Sequence, residues 1–425
     1  MSHAEDEYSA AAAAFYKKQL RVNERGYTRD DPYNVVLYLT GEDALRDLIA
    51  LDEFSHRIVK RRAPPWNSPG DDWTESDMNL LRVYLTQHFG VLFSVQNIEH
   101  GVLDVANKSS FHPVRDYLEG LEWDGTERVP YWLGLYLDAT RAVPDATRDY
   151  IYTVGRMWLV AAVARVFEPG CKFDNVLILE GEQGAGKSTA LAILGGEWFN
   201  DTPFRIGEKD GYQALQGRWI IELPELENFS GVDSSRAKAF FSSREDNFRP
   251  PYGRRNQEFP RQCAFAGTTN QLEYLKDATG NRRYWPVRVN RLDRDALVRD
   301  RDQLWAEALH RYRAGESFHL AADDPAWAVF AAEQAMREVA DPWEIAIRNW
   351  RASPDGFLRD QFTLHDVLHY GLGVDTNRMD QRAMATRVGK ILHRLGYEKV
   401  RGSTRDERAK GVFYYRKRAT RDDQG

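Results

Sequence analysis

The chain has 425 residues, 42% of them hydrophobic, with 12 Trp and 20 Phe, which is ample material for two or three buried cores. A net charge of -6 and only 2 cysteines, Cys171 and Cys263, far apart and without nearby histidines, exclude a disulfide scaffold and a zinc module. No apolar run approaches the ~18 residues of a membrane helix, and Glu5, Asp6 and Glu7 have the wrong charge for a signal or transit peptide, so a cytoplasmic protein with no membrane partner is expected.

In chain order, residues 1–33 read as a flexible leader with a short helix around Ala10–Leu20. Asn34–Leu39 predicts a strand, whereas Gly41–Leu51 and Thr74–Phe89 have helical spacing, so 34–110 is expected to be an N-terminal α+β module. Residues 111–170 read as a helical, collar-like region, interrupted by a turn at Trp123-Asp124-Gly125-Thr126. Within it Asp149–Phe167 is apolar on most of its surface and predicts a buried helix. Pro169-Gly170 breaks the pattern. Alternating strands and helices over 171–320 then predict an α/β core with a parallel sheet, followed by a helical connector over 321–356 and a basic module over 357–425. From Phe357 to Arg418 there are 14 Lys and Arg against 7 Asp and Glu.

The chemistry starts at Gly181-Glu182-Gln183-Gly184-Ala185-Gly186-Lys187-Ser188. An apolar strand-length run, Asn175–Leu179, precedes it and a helix-forming run, Thr189–Leu194, follows it. That order is the one a phosphate-binding loop requires. Gly181, Gly184, Ala185 and Gly186 leave backbone N–H groups free to wrap a phosphate, and Lys187 reaches the β- and γ-phosphates. Ser188 can ligate Mg²⁺, and Thr189 opens the helix beneath. ATP with Mg²⁺ is the expected ligand. A small-molecule kinase shares this loop, but it would leave the basic tail and the Arg282-Arg283 pair without a role.

Hydrolysis needs a carboxylate beside the metal and a group that directs water. Trp219-Ile220-Ile221-Glu222-Leu223-Pro224-Glu225 ends an apolar run in two acids, with Glu222 read as the metal ligand and Glu225 as the base, roles that could be exchanged. Asn270, at the end of Arg261–Thr269, is placed to orient water. In Gly280-Asn281-Arg282-Arg283-Tyr284-Trp285-Pro286-Val287, either Arg282 or Arg283 could cross a subunit interface to stabilise a transferring phosphoryl group, or the pair could be structural. Between acid and amide, Arg249, Tyr252, Arg254 and Arg255 interleave charge with aromatic surface, as a loop gripping DNA would; with Glu245, Asp246 and Glu258 nearby, a charged surface loop is the alternative.

In the tail, Phe357–Leu372 and Asp380–Leu395 read as helices, and Tyr397–Val400 and Val412–Tyr415 as strands around a basic loop. Helix, helix, strand, loop, strand is a winged-helix-like layout. Arg387 and Lys390 on the second helix, and Arg405 and Arg408 in the loop, are the expected phosphate contacts. A capping domain without DNA contact is the alternative.

With these pieces in order, the chain resembles the virulence-associated protein E family of phages and mobile elements. The resemblance spans roughly 34–418. It is carried by Phe111-His112-Pro113-Val114-Arg115-Asp116-Tyr117-Leu118, Trp123-Asp124-Gly125, Ala164-Arg165-Val166, Pro169-Gly170-Cys171-Lys172, the glycine loop, Trp219–Leu226, Arg249-Pro250-Pro251-Tyr252-Gly253-Arg254 and Gly280–Val287. That family is similar to superfamily 3 helicases of the AAA+ class. The resemblance implies an AAA+-like core, a homo-hexamer or other ring, ATP at subunit interfaces, single-stranded or forked DNA as partner, and a separate primase. It also implies a DNA translocase or helicase; an ATP-dependent DNA-binding switch without unwinding is the alternative. Adjacent acids are usual at the end of the second strand, and here Leu223-Pro224 separates Glu222 from Glu225.

Overall fold

The computed structural model describes residues 15–206, 208–225, 234–248, 256–275, 280–339, 341–374, 381–402 and 413–417. The chain divides into two compact units, Met1–Arg337 and Glu338–Gly425.

In the first unit the stretch expected as a strand, Asn34–Leu39, is instead part of a helix, Pro32–Gly41. Asp31 caps it, its carboxylate accepting from the Tyr33 N–H at 2.8 Å, and Pro32 presets the first turn. Val35, Leu37, Tyr38 and Leu39 are buried on several faces of this helix, which is why the run looked continuous enough for a strand. Gly41–Leu51 is not a helix either. Asp47 adopts φ 55°, and the chain then enters β1 (Ile49–Asp52), antiparallel to β2 (Arg57–Lys60). The expected Thr74–Phe89 helix is present as Glu75–Phe89, started by a reciprocal capping box between Thr74 and Asp77. The turn between β1 and β2 meets the strand Gln257–Pro260, where the His56 ring lies 4.2 Å from half-buried Phe259.

The core helix Asp145–Phe167 is the one described helix long and apolar enough to cross a membrane, and 78% of its apolar window is buried inside the protein. Its tryptophan and small residues lie against the sheet: Trp158 Nε1 donates to the Phe265 carbonyl and the Ala162 carbonyl accepts from Trp219 Nε1, both at 2.9 Å. The sheet itself comprises β3 (Val176–Glu180), β4 (Phe199–Asn200), β5 (Ile220–Leu223), β8 (Ala264–Thr269) and β9 (Tyr284–Arg288). All neighbours are parallel, in the order β4-β5-β8-β3-β9. β3, buried at every position, reads as a run of Val, Leu and Ile because helices cover both faces of such sheets. Strand order departs from chain order at β3, so the crevice beyond the carboxyl ends of β3, β5 and β8 is where such a sheet takes a ligand.

Between β5 and β8 the chain forms an antiparallel hairpin, β6 (Glu245–Phe248) with β7 (Gln257–Pro260). Its root is held by buried Arg261, which donates to Asp246 through Nε and Nη2 and to the Phe240 carbonyl.

The second unit has helices Pro342–Ala352 and Gln381–Arg394 and a small sheet of β10 (Phe362–Thr363), β11 (Tyr397–Arg401) and β12 (Phe413–Lys417), ordered β10-β12-β11. The predicted helix over Phe357–Leu372 is broken. Phe362 and Thr363 pair with Tyr415 and Tyr414, and helix resumes at Leu364 behind a second capping box, Thr363 with Asp366. Burying the Phe362 ring against Tyr397 and Tyr415 overrides its place in a helical pattern.

Candidate functional site

Register brings the three strand ends together. Glu180 of β3 lies beside Thr269 of β8, and Leu223 of β5 beside Gly267. The glycine loop leaves β3 here and runs into the helix Lys187–Gly195. Gly186 adopts φ 88°, and a Cβ on it would come within 2.5 Å of Leu292, so both backbone shape and packing demand glycine.

Lys187 is buried to 8% exposure, and its Nζ donates to the Gly181 carbonyl at 2.8 Å, the Glu182 carbonyl at 2.9 Å and Asn270 Oδ1 at 2.8 Å. Ser188 Oγ donates to Glu222 Oε1 at 2.6 Å, and Thr268 Oγ1 donates to the same oxygen at 2.6 Å. Glu222 Oε2 is buried and has no hydrogen-bond partner among the described residues. An unsatisfied buried carboxylate oxygen costs on the order of 1–3 kcal/mol, and a cation at Ser188 and Glu222 would relieve that cost. Among the described residues no group of three His, Cys, Asp or Glu side chains is arranged to hold a metal ion, so a cation here would draw its other ligands from phosphate and water, as Mg²⁺ does. The strand ends enclose a cleft of 390 Å³ lined by Gly184, Lys187, Ser188, Glu225, Thr268 and Asn270 among others. Exposed Glu225 stands at its rim with φ 50°, a conformation uncommon for a side-chain-bearing residue.

The expected residues thus divide. Gly181, Gly184, Ala185, Gly186, Lys187, Ser188, Thr189, Glu222, Glu225 and Asn270 lie at one end of the sheet. Arg282 and Arg283 do not join them: Tyr284 pairs with Val176 at the start of β3, about 15 Å of strand away from the glycine loop. Arg283 is held inside its own chain, its Nε donating to Asp174 Oδ2 at 3.1 Å and its Nη2 to Ser242 Oγ at 3.0 Å. Burial alone would raise Asp174, but Lys172 and Arg283 hold its pKa below the ordinary carboxylate value. Arg282 is exposed.

Arg249, Tyr252, Arg254, Arg255, Arg405 and Arg408 lie outside the described residues. Arg387 chelates Asp341 with Nε at 2.9 Å and Nη2 at 2.7 Å and stacks 4.1 Å over the Trp343 ring, while Lys390 is exposed. The sequence reading assigned no role to Thr268, although the hydroxyl after the apolar run Ala264–Gly267 was the available signal.

Fold and site define an α/β protein whose glycine loop, lysine, hydroxyl and buried carboxylate converge beyond the ends of a five-stranded parallel sheet. The chain belongs to the virulence-associated protein E-like domain family, whose model matches residues 118–339. No curated protein matches it in sequence. Among solved structures, the apo NrS-1 C-terminal region (305–718) aligns at 11% identity and a TM-score of 0.49, covering 91% of this chain and 99% of that one. The A form of the apo NrS-1 C-terminal region aligns at 10% identity and a TM-score of 0.46, covering 87% and 96%.

Proposed function

We propose that this chain is a Mg²⁺-dependent ATPase that assembles as a ring on DNA and works as a translocase or helicase of superfamily 3 type in the replication of a phage or mobile element. The observation that carries the ATPase reading is that Lys187, bonded to the glycine loop and Asn270, and Ser188, bonded to buried Glu222, line one cleft of 390 Å³.

The roles follow from the bonds each group already makes. Lys187 uses its three donors on two loop carbonyls and on Asn270, so an arriving γ-phosphate can take a donor from Asn270 and free that amide to orient water. Ser188 and Glu222 would hold Mg²⁺, which supplies charge neutralisation between the phosphates when bound. Glu225 reaches the same cleft from the solvent side and can accept a proton from water. Exposed Arg282, a strand length from its own glycine loop, is placed to serve a neighbouring copy; Arg283, already paired, is a structural residue. The family to which the chain belongs, and its expected DNA loop at Arg249–Arg255, support DNA as the partner.

Lys187→Ala tests the proposal directly. Nucleotide binding measured by a fluorescent ATP analogue should fall by at least ~100-fold and hydrolysis should vanish; a variant that still hydrolyses ATP would overturn the reading. Strand displacement on a forked duplex then separates the helicase from a DNA-bound switch, which would show DNA-stimulated hydrolysis without unwinding.

A further inference from the structure

Glu180 is the last residue of β3 and the one before Gly181, and it is buried to 3% exposure. Its carboxylate does not point to the cleft chemistry described above. It accepts from Tyr274 Oη at 2.6 Å and is chelated by Arg337, with Nε at 2.8 Å and Nη2 at 2.9 Å. Arg337 is fixed from its other side by Glu333, which also accepts from Thr147 Oγ1. The Arg337 backbone carbonyl in turn accepts from the Tyr274 N–H at 3.0 Å and the Leu275 N–H at 2.9 Å. Tyr274 and Leu275 lie four and five residues beyond Asn270.

These contacts make a loop of interactions. Lys187 touches Asn270; the chain runs from Asn270 to Tyr274; Tyr274 is bonded to Arg337 and Glu180; Glu180 leads into Gly181, whose carbonyl accepts from Lys187. Burial and the Glu180 carboxylate push the Tyr274 phenol well above its ordinary pKa, so it stays a donor at every working pH. The planar guanidinium is suited to this task because it holds both carboxylate oxygens at once, which an ammonium cannot do.

We infer that Arg337 is a positioning residue for the proposed ATP site, clasping the root of the glycine loop and the exit of the Asn270 segment so that the amide and the Lys187 ammonium meet at a fixed distance. The inference rests on the ATPase reading for its kinetic consequence, but the clasp itself can be measured without turnover. Arg337 is also the last residue of the first unit, so the chain leaves that unit from the clasp.

The test uses the full chain with Arg337→Ala, Arg337→Lys and, as a milder change that removes one hydroxyl and keeps the ring, Tyr274→Phe. In Arg337→Ala the affinity for an ATP analogue should stay within ~3-fold while kcat falls at least ~10-fold, with Arg337→Lys recovering part of the loss and Tyr274→Phe losing less. Unchanged kcat in folded Arg337→Ala, or affinity and kcat falling together with the folded fraction, would overturn the inference. Hydrogen exchange without nucleotide supplies the second readout: residues 181–187 and 271–275 should both exchange faster in Arg337→Ala and to a lesser extent in Tyr274→Phe. Faster exchange in only one segment, or in neither, sinks the clasp. A wild-type protein that fails to hydrolyse ATP sinks the ATPase reading instead, and the exchange result still decides the clasp.

Discussion

Glu222 carries two neutral hydroxyl donors on one oxygen and, among the described residues, no hydrogen-bond partner on the other, an arrangement that would favour a cation beside it. Replacing it with Gln keeps the volume and removes the charge. Glu222→Gln should remain folded, lose the Mg²⁺ dependence of nucleotide binding seen by titration calorimetry, and hydrolyse ATP at least ~100-fold more slowly. The two arginines should separate under the same treatment. Arg283→Ala removes one partner of Asp174 and one of Ser242 and should cost about 1–3 kcal/mol in urea unfolding. Arg282→Ala should leave the unfolding midpoint where it was and lower turnover, with activity restored by mixing in Lys187→Ala subunits. Recovery absent from that mixture would mean that Arg282 serves no neighbouring site.

Among elements, the cap at Thr74–Asp77 shows how local chemistry sets pH dependence. Burial alone would raise Asp77, but hydrogen bonds from Ser68, Thr74 and Trp66 outweigh it and hold the pKa at about 2. A carboxylate depressed on folding stabilises above its ordinary value, near pH 4, and that stability is lost as pH falls toward 2. The loss should reach about 2 kcal/mol across that window in acid unfolding, and Asp77→Asn should flatten it. Capping of this kind was legible: Thr74 lies three residues before Asp77, and the helix follows. So was the glycine loop, because strand, turn and helix are contiguous in the chain. Asp31-Pro32 gave the same kind of start signal for Pro32–Gly41, but the apolar run behind it covers more than one face and imitates a strand. Phe357–Leu372 failed for the opposite reason, since Phe362 is claimed by a strand more than 50 residues later, and no local period records that pairing. Arg337 and Glu180 are 157 residues apart, which puts their contact beyond any reading of spacing.

At the scale of the whole molecule, every described residue of the proposed nucleotide site belongs to the first unit. A chain ended after Val339 keeps Arg337 and should bind an ATP analogue within ~5-fold of the full protein by fluorescence titration; a larger loss would mean that the second unit contributes to binding. The sheet also imposes a direction on any assembly. Lys187 and Arg282 stand at opposite ends of parallel strands, so the surface that would give an arginine differs from the one that would receive it. Repeated in one direction, such a contact makes copies follow one another head to tail, closing into a cycle or growing as a filament, whereas a two-fold pair would have to bring both strand ends of each copy into one shared patch.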